Sequence, residues 1–377
     1  MSFSINSFSK AVSIVVAVFI WLPSCALTNS AAIKETSDSA ALYRKLRIAV
    51  LPFSSLSGSP VPLKNLRNSL TNSLKKEGLN LLDQEILERF IVERRLRYVG
   101  GIDRVTARDL KWQTGSDAVL VTSVELYNED PPPKISLTSR LISTGSNPAV
   151  LWIHGIGLAG NDSIGILELS LIEDPRILVG NAIRNVSTSL AEYISSGRYS
   201  AARERDIIKF WPSVFYRSPI IEPGMKYTVA VVPFFNLSER KSAGEIMALH
   251  FVSQLRMLGN FTVIEPGIVR QALLQMRIIM EDGMSLADAD ILFSELGADV
   301  VLSGKVFDYQ DYTGDLGKPK VDFSARLTEK NSREVVWACE SHNEGDHGVF
   351  FFDWGKINTA HRMASEMVAS ALETLVE

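Results

Sequence analysis

The chain has 377 residues, 46% of them hydrophobic and 22% charged, with a mean hydropathy of +0.09. That length exceeds what one hydrophobic core usually supports, so two domains are the starting expectation. The formal net charge of −4 offers no electrostatic footprint for nucleic acid, which needs a basic face, and no general polybasic attraction to acidic membranes.

The first residues read as an export signal. "MSFSINSFSK" carries Lys10 and the terminal amine, and about a dozen mostly apolar residues follow in "AVSIVVAVFIWL". This is the length of a signal-peptide core and short for a bilayer span. "LPSC" then places Leu22 three residues before Cys25 and resembles the lipobox of bacterial lipoproteins. The resemblance implies a signal peptide over 1–25, with Cys25 as the first mature residue carrying diacylglycerol and an N-acyl chain. Pro23 departs from the pattern, which has Ala, Ser, Thr or a β-branched residue there. Cleavage by ordinary signal peptidase near "CALTNS" and an uncleaved anchor are the alternatives. Cysteine usage agrees with lipidation: Cys25 and Cys339 are the only two, so an acylated Cys25 leaves no internal disulfide. Buried CH₂ groups at about 0.8 kcal/mol each make such an anchor permanent. Ala26 in place of Asp implies, by the same resemblance, sorting to the outer membrane. Residues 26–45 are small and polar, a flexible tether.

The folded part opens at "RIAVLPF", a buried strand stopped by Pro52. "LKNLRNSLTNSLKKEG" spaces Leu63, Leu66, Leu70 and Leu74 for a helix ended by Gly78. "LNLLD" is a short strand, and "QEILERFIVERRL" a second helix, whose end gathers Arg94, Arg95 and Arg97 near the C-terminal dipole. "TARDLKWQTG" is a third helix, with Thr106 as its N-cap and Gly115 as its stop. "DAVLVTSVELY", "KISLTSRLI" and "AVLWIHGIGL" are three meander strands, and "DPRILVGNAIRNVSTSLAEYI" closes the unit as a helix.

The same order then recurs. "IAVLPFSSLS" at 48–57 and "VAVVPFFNLS" at 229–238 agree at six of ten positions. Gly115 and Gly297 are 182 apart, Arg140 and Arg326 186, Trp152 and Trp337 185, so the offset drifts only by short insertions. This is a tandem duplication. The predicted class is α/β: two mixed-sheet domains of order β-α-β-α-α-β-β-β-α, over 46–196 and 228–377. The linker 197–227 is expected to bury Trp211, Phe215 and Tyr216 and dock the pair. The opening "IAVLPF" and the "GSD" and "GAD" strand entries resemble the amino-terminal domain of TolB and the globular part of the curli secretion lipoprotein (CsgG-like). That likeness covers most of both units and implies binding or transport roles in the cell envelope.

Motifs for chemistry are sparse. "GIGLAG" at 155–160 fits the dinucleotide pattern G-x-G-x-x-G. However, it follows the last strand of the meander rather than the first of a βαβ unit, so it reads as a glycine-rich turn. "CESHNEGDHG" collects Cys339, His342, Asp346 and His347, yet the preferred reading is a solvated acidic loop, with Cys339 in the core. His154, His250 and His361 lie in or beside apolar periodic segments and read as core or half-buried side chains. There is no nucleophile elbow, zincin helix or P-loop. The expectation is no catalytic residue, no cofactor and no metal, with Cys25 as the lipid attachment site.

The sequence therefore points to a non-enzymatic outer-membrane lipoprotein facing the periplasm. Its predicted partners are cell-envelope proteins, with the membrane reached through acylated Cys25, no nucleic acid, and homo-oligomer formation open. An oligomeric secretion channel or ring and a small-ligand protein using the interdomain cleft are the rivals. The short hairpins around "NEDPPPK" and "YQDYTGDLGKPK" argue against a pore.

Overall fold

The computed structural model describes residues 45–162, 171–198, 210–222, 224–280, 283–312, 314, 317–346 and 356–376. The leader 1–25 with Cys25, the tether up to residue 44, and His347 lie outside them. The described residues form twelve strands and eight helices around two sheets.

In the first unit, β1 (Ile48–Val50) runs parallel to β3 (Ala118–Asn128), and β3, β4 (Lys134–Ser143) and β5 (Val150–Ala159) form an antiparallel meander. The leucines of α1 (Leu63–Lys76) put Leu66, Leu70 and Leu74 on one sheet face. They share it with Ala182, Val186 and Leu190 of α4 (Pro175–Ser196). The opposite face of β1 and β3 takes α2 (Gln84–Glu93) and α3 (Arg104–Thr114) through Leu87, Phe90 and Leu110. Gly115 ends α3 with φ 68°, a left-handed turn that glycine adopts without steric cost. The predicted cap Thr106 is not the cap. Asp103 is, accepting from the Thr106 N–H at 2.9 Å and its hydroxyl at 2.8 Å. A carboxylate one turn earlier meets the free N–H groups better than a hydroxyl inside the helix.

The second unit repeats the plan. β7 (Tyr227–Val231) is parallel to β10 (Val300–Gln310), followed in the meander by β11 (Lys320–Glu329) and β12 (Val335–Glu344). One face carries α5 (Ala243–Leu258) and α8 (Ala360–Val376), the other α6 (Pro266–Gln275) and α7 (Leu286–Leu296). Registers coincide: Ile48 faces Ala118 as Val229 faces Val300. The predicted second strand differs between copies. It is β9 (Phe261–Val263) in the second unit but a single bridge, Ile48 to Leu81, in the first. Two-residue strands β2 (Ser54–Ser55) and β8 (Phe235–Asn236), which the sequence reading lacked, resume pairing just beyond Pro52 and Pro233.

The linker departs most from expectation. Val214–Arg217 is strand β6, pairing with β12 and widening the second sheet. Phe215 and Tyr216 are 48% and 53% exposed rather than buried. Backbone pairing with β12 orders them, and neither α8, which borders β6, nor Trp211, edge-on to Phe215 at 5.9 Å, buries their side chains fully.

The units pack as a pair. Val150 and Ile153 of β5 belong to the same core as α5 and α8, so these helices lie between their own sheet and the first unit's. Their sequence reflects this. α1 buries Leu66, Arg67, Leu70 and Leu74, whereas α5 buries eleven residues on all sides.

Candidate functional site

The joint between the units gathers three buried ionisable side chains from distant parts of the chain. β3 and β4 slip register between Val124 and Leu126, leaving Glu125 as the extra residue of a β-bulge. A bulge re-aims its side chain, and Glu125 turns toward the second unit. There it meets His361, in the first turn of α8, with Nδ1 2.5 Å from Glu125 Oε2. The Thr138 hydroxyl donates to the other carboxylate oxygen at 2.6 Å. His250, on α5, lies with its ring centroid 4.6 Å from that of His361, and its Nε2 is 3.3 Å from the Tyr309 hydroxyl. All three members are almost wholly inaccessible.

Charges around the cluster are paired. Arg240 donates to the main-chain oxygen of Glu125, binds Asp311 at 2.7 Å and covers the Tyr309 ring. Asp311 also accepts from the Ala360 N–H at the start of α8, at 2.7 Å. Burial pushes the Glu125 carboxyl up. The charge of His361 and its hydrogen bond, with His250 and Thr138 behind them, outweigh this and hold it down at about 2. Burial first, then the charges of His361 and Arg240, push His250 down to about 3 against the pull of Glu125.

Two glycines on β5 make the approach possible. A Cβ at Gly155 would lie 2.8 Å from His361 Nε2, and one at Gly157 would lie 2.7 Å from Thr359 Oγ1. "GIGLAG" is therefore strand through Ala159, not the predicted turn. Its glycines serve close packing of a helix start against the strand.

A second contact lies nearer the other end of the sheets. Arg140, on β4, reaches Glu265, the N-cap of α6, at 3.3 Å, and donates to the Gly100 carbonyl at 2.7 Å. Both charged side chains are 0% exposed. Gly101 and Gly267 meet backbone to backbone. A Cβ at Gly267 would lie 2.3 Å from the Ile102 nitrogen.

Glu125, His250 and His361 offer metal-ligand atoms all within 4.8 Å of one another. In the present arrangement both carboxylate oxygens and one nitrogen of each histidine already have partners. A cation would have to displace the His361–Glu125 hydrogen bond beside the Arg240 guanidinium. The geometry is that of a closed hydrogen-bonded chain across a domain joint. Chemically it can hold the units together and respond to protons.

The other sequence candidates fall elsewhere. "CESHNEGDHG" begins within β12, not in a loop. Cys339 is buried, its thiol pushed up to about 12 by burial, while His342 faces Asp322 on the other strand at 3.1 Å. His154 is bound to Asn185 at 2.7 Å. The sequence reading took His250 and His361 as core residues and did not connect them, nor did it single out Glu125. A signal existed in the duplication. The counterpart of Glu125 is Phe307, 182 residues on, and that of His250 is Ser69, 181 residues earlier. The ionisable groups break the repeat.

No family model matches the chain, and no curated protein matches it. Among solved structures it is similar to the PelC dodecamer from Paraburkholderia phytofirmans: 23% identity, TM-score 0.30, covering 43% of this chain and 94% of that one. It is also similar to the lipoprotein GNA1162 from Neisseria meningitidis (20%, 0.29, 38% and 99%). A third is the LpoB C-terminal domain from Salmonella enterica (16%, 0.24, 32% and 87%). These are bacterial proteins, a lipoprotein among them, and none of the three covers more than 43% of this chain.

Proposed function

We propose that the chain is a lipid-anchored outer-membrane lipoprotein facing the periplasm, a non-enzymatic adaptor that binds cell-envelope proteins in assembly or transport. The observation that carries this reading is strand β6. Among the described residues it pairs with β12 on one side only, and it exposes Val214, Phe215 and Tyr216 at 58%, 48% and 53%. An open edge with apolar side chains is a template for a partner's strand. The acyl chains on Cys25 hold the body at the membrane. The tether of about 20 residues gives a root-mean-square reach of roughly 25 Å. The buried joint makes the two units one support for that edge.

The test is a photo-reactive residue at position 215 of the full-length protein, cross-linked in cells. The reading expects adducts to an envelope protein, weakened by Tyr216→Lys and lost with Cys25→Ser. Adducts only to the chain itself, or adducts unchanged by Cys25→Ser, would count against it.

A further inference from the structure

The duplication supplies its own template for a contact the isolated chain leaves unmade. In the first unit, the meander face at Arg140, Thr138 and Gly155 is covered by the second unit, and Arg140 meets the N-cap carboxylate Glu265. In the second unit, strand pairing fixes the matching positions. Arg140 faces Ile153 as Arg326 faces Ala338, and Thr138 faces Gly155 as Ser324 faces Glu340. There no described residue of another unit covers the face. Ser303, Lys305, Ser324, Arg326 and Glu340, with Tyr216 of β6, line a cleft of about 230 Å³. Arg326 keeps the equivalent link to the preceding loop, donating to the Met284 carbonyl as Arg140 does to Gly100. Its ion-pair partners include no carboxylate among the described residues.

The matching carboxylate belongs to the first unit. Asp83 is the N-cap of α2, as Glu265 is of α6, and the two are 182 residues apart. It lies in a shallow surface depression with Glu85, with Arg89, and with Glu88, which is paired with Arg67. We propose that the open face of the second unit, centred on Arg326, docks the Asp83–Glu88 helix start of a second copy of this chain, head to tail. One surface centres on the Arg326 guanidinium, with Glu340 at its rim, the other on Asp83 and Glu85, and each copy carries both. A contact joining unlike surfaces repeats, closing into a ring or running on as a filament.

The new contact is looser than the internal one. Glu85 stands where Gly267 stands, and Gly267 admits no Cβ, so the backbones cannot approach as closely. The start of α2 brings two acids, Asp83 and Glu85, where that of α6 brings Glu265 alone. The association is accordingly ionic and falls with salt, unlike the buried internal joint.

Sedimentation velocity of the full-length protein in density-matched detergent tests this. Expected are concentration-dependent oligomers at low salt that weaken on the order of tenfold or more in high salt. Arg326→Glu, the milder Arg326→Gln, and Asp83→Asn with Glu85→Lys should each abolish them. Asparagine preserves the helix cap while removing its charge. Mixing Arg326→Glu with Asp83→Asn/Glu85→Lys should restore a 1:1 pair, because each variant keeps one intact surface. A wild-type protein that stays monomeric at tens of micromolar, variants that associate like wild type, or a mixture that stays monomeric would overturn the proposal. Self-association is removed by Arg326→Glu, whereas adducts from position 215 to an envelope protein should persist in that variant, so this inference and the adaptor reading fail separately.

Discussion

The two copies of the meander face differ in one respect that explains the rest. On β5, Gly155 and Gly157 stand where β12 has Glu340 and His342. The first pair is under the start of α8; Glu340 is exposed to solvent, and His342 pairs with Asp322 beside it. At the bulge, Glu125 is buried, whereas Phe307 is 43% exposed. On the helix beneath, His250 is packed from both sides where Ser69 meets water. A duplicated domain that acquires a neighbour changes residue by residue at the neighbour. Close approach selects glycine, and burial demands that every polar group be paired.

That contrast can be broken in matched pairs. Glu125→Ala leaves His361 buried without its carboxylate partner, and Arg140→Ala leaves the Glu265 carboxylate buried without its guanidinium. Each should cost about 3–5 kcal/mol in denaturant unfolding. The counterparts Phe307→Ala and Arg326→Ala should cost about 1 kcal/mol, since water reaches those sites. Equal costs on the two units would remove the distinction drawn here.

Next in size is Gly157→Ala. Its methyl meets Thr359 and His361 and should destabilise by about 1–3 kcal/mol through overpacking. His342→Ala, at the same register of the open face, should change stability by about 0.5 kcal/mol or less beyond loss of a surface pair.

A pH series sharpens the comparison. Glu125, held at about 2 against an ordinary 4.5, contributes stability that is present above 4.5 and lost as the pH falls through 2. His250, held at about 3 against 6.5, stays neutral in the fold while the unfolded chain takes up a proton. Stability therefore falls as the pH drops from 6.5 to 3, and the two groups act in the same direction. The expected slope is on the order of 1 kcal/mol per pH unit. It should flatten between 6.5 and 4.5 in a His250→Gln variant, measured by urea midpoints.

Much of each unit was legible in the sequence. The leucine spacing of α1, the glycine after α3 and α7, and the proline after β1 and β7 each name a local cause, and the duplication doubled every signal. The edge strand β6 was not legible, because "VFYR" owes its pairing to an exposed edge elsewhere in the chain. Cap Asp103 was missed because Thr106 also satisfies the cap pattern three residues later. The Glu125 cluster was hidden for a different reason. "SVELY" alternates like any half-solvated strand, and only the bulge and the partner unit, 125 to 236 residues away, turn its acid inward. The repeat offered the missing clue at positions where one copy is ionisable or glycine and the other is not.

The central claim is that the two units are locked by this joint into one cooperative body. Trp152 and Trp337 hold equivalent places in the two sheets, both buried, so each can report on its own unit. Urea unfolding should be followed in two variants that retain only one of these as the buried reporter. The account predicts a single coincident transition from both probes, splitting into two when Glu125→Ala is introduced. Two separate transitions in the unaltered joint would contradict it.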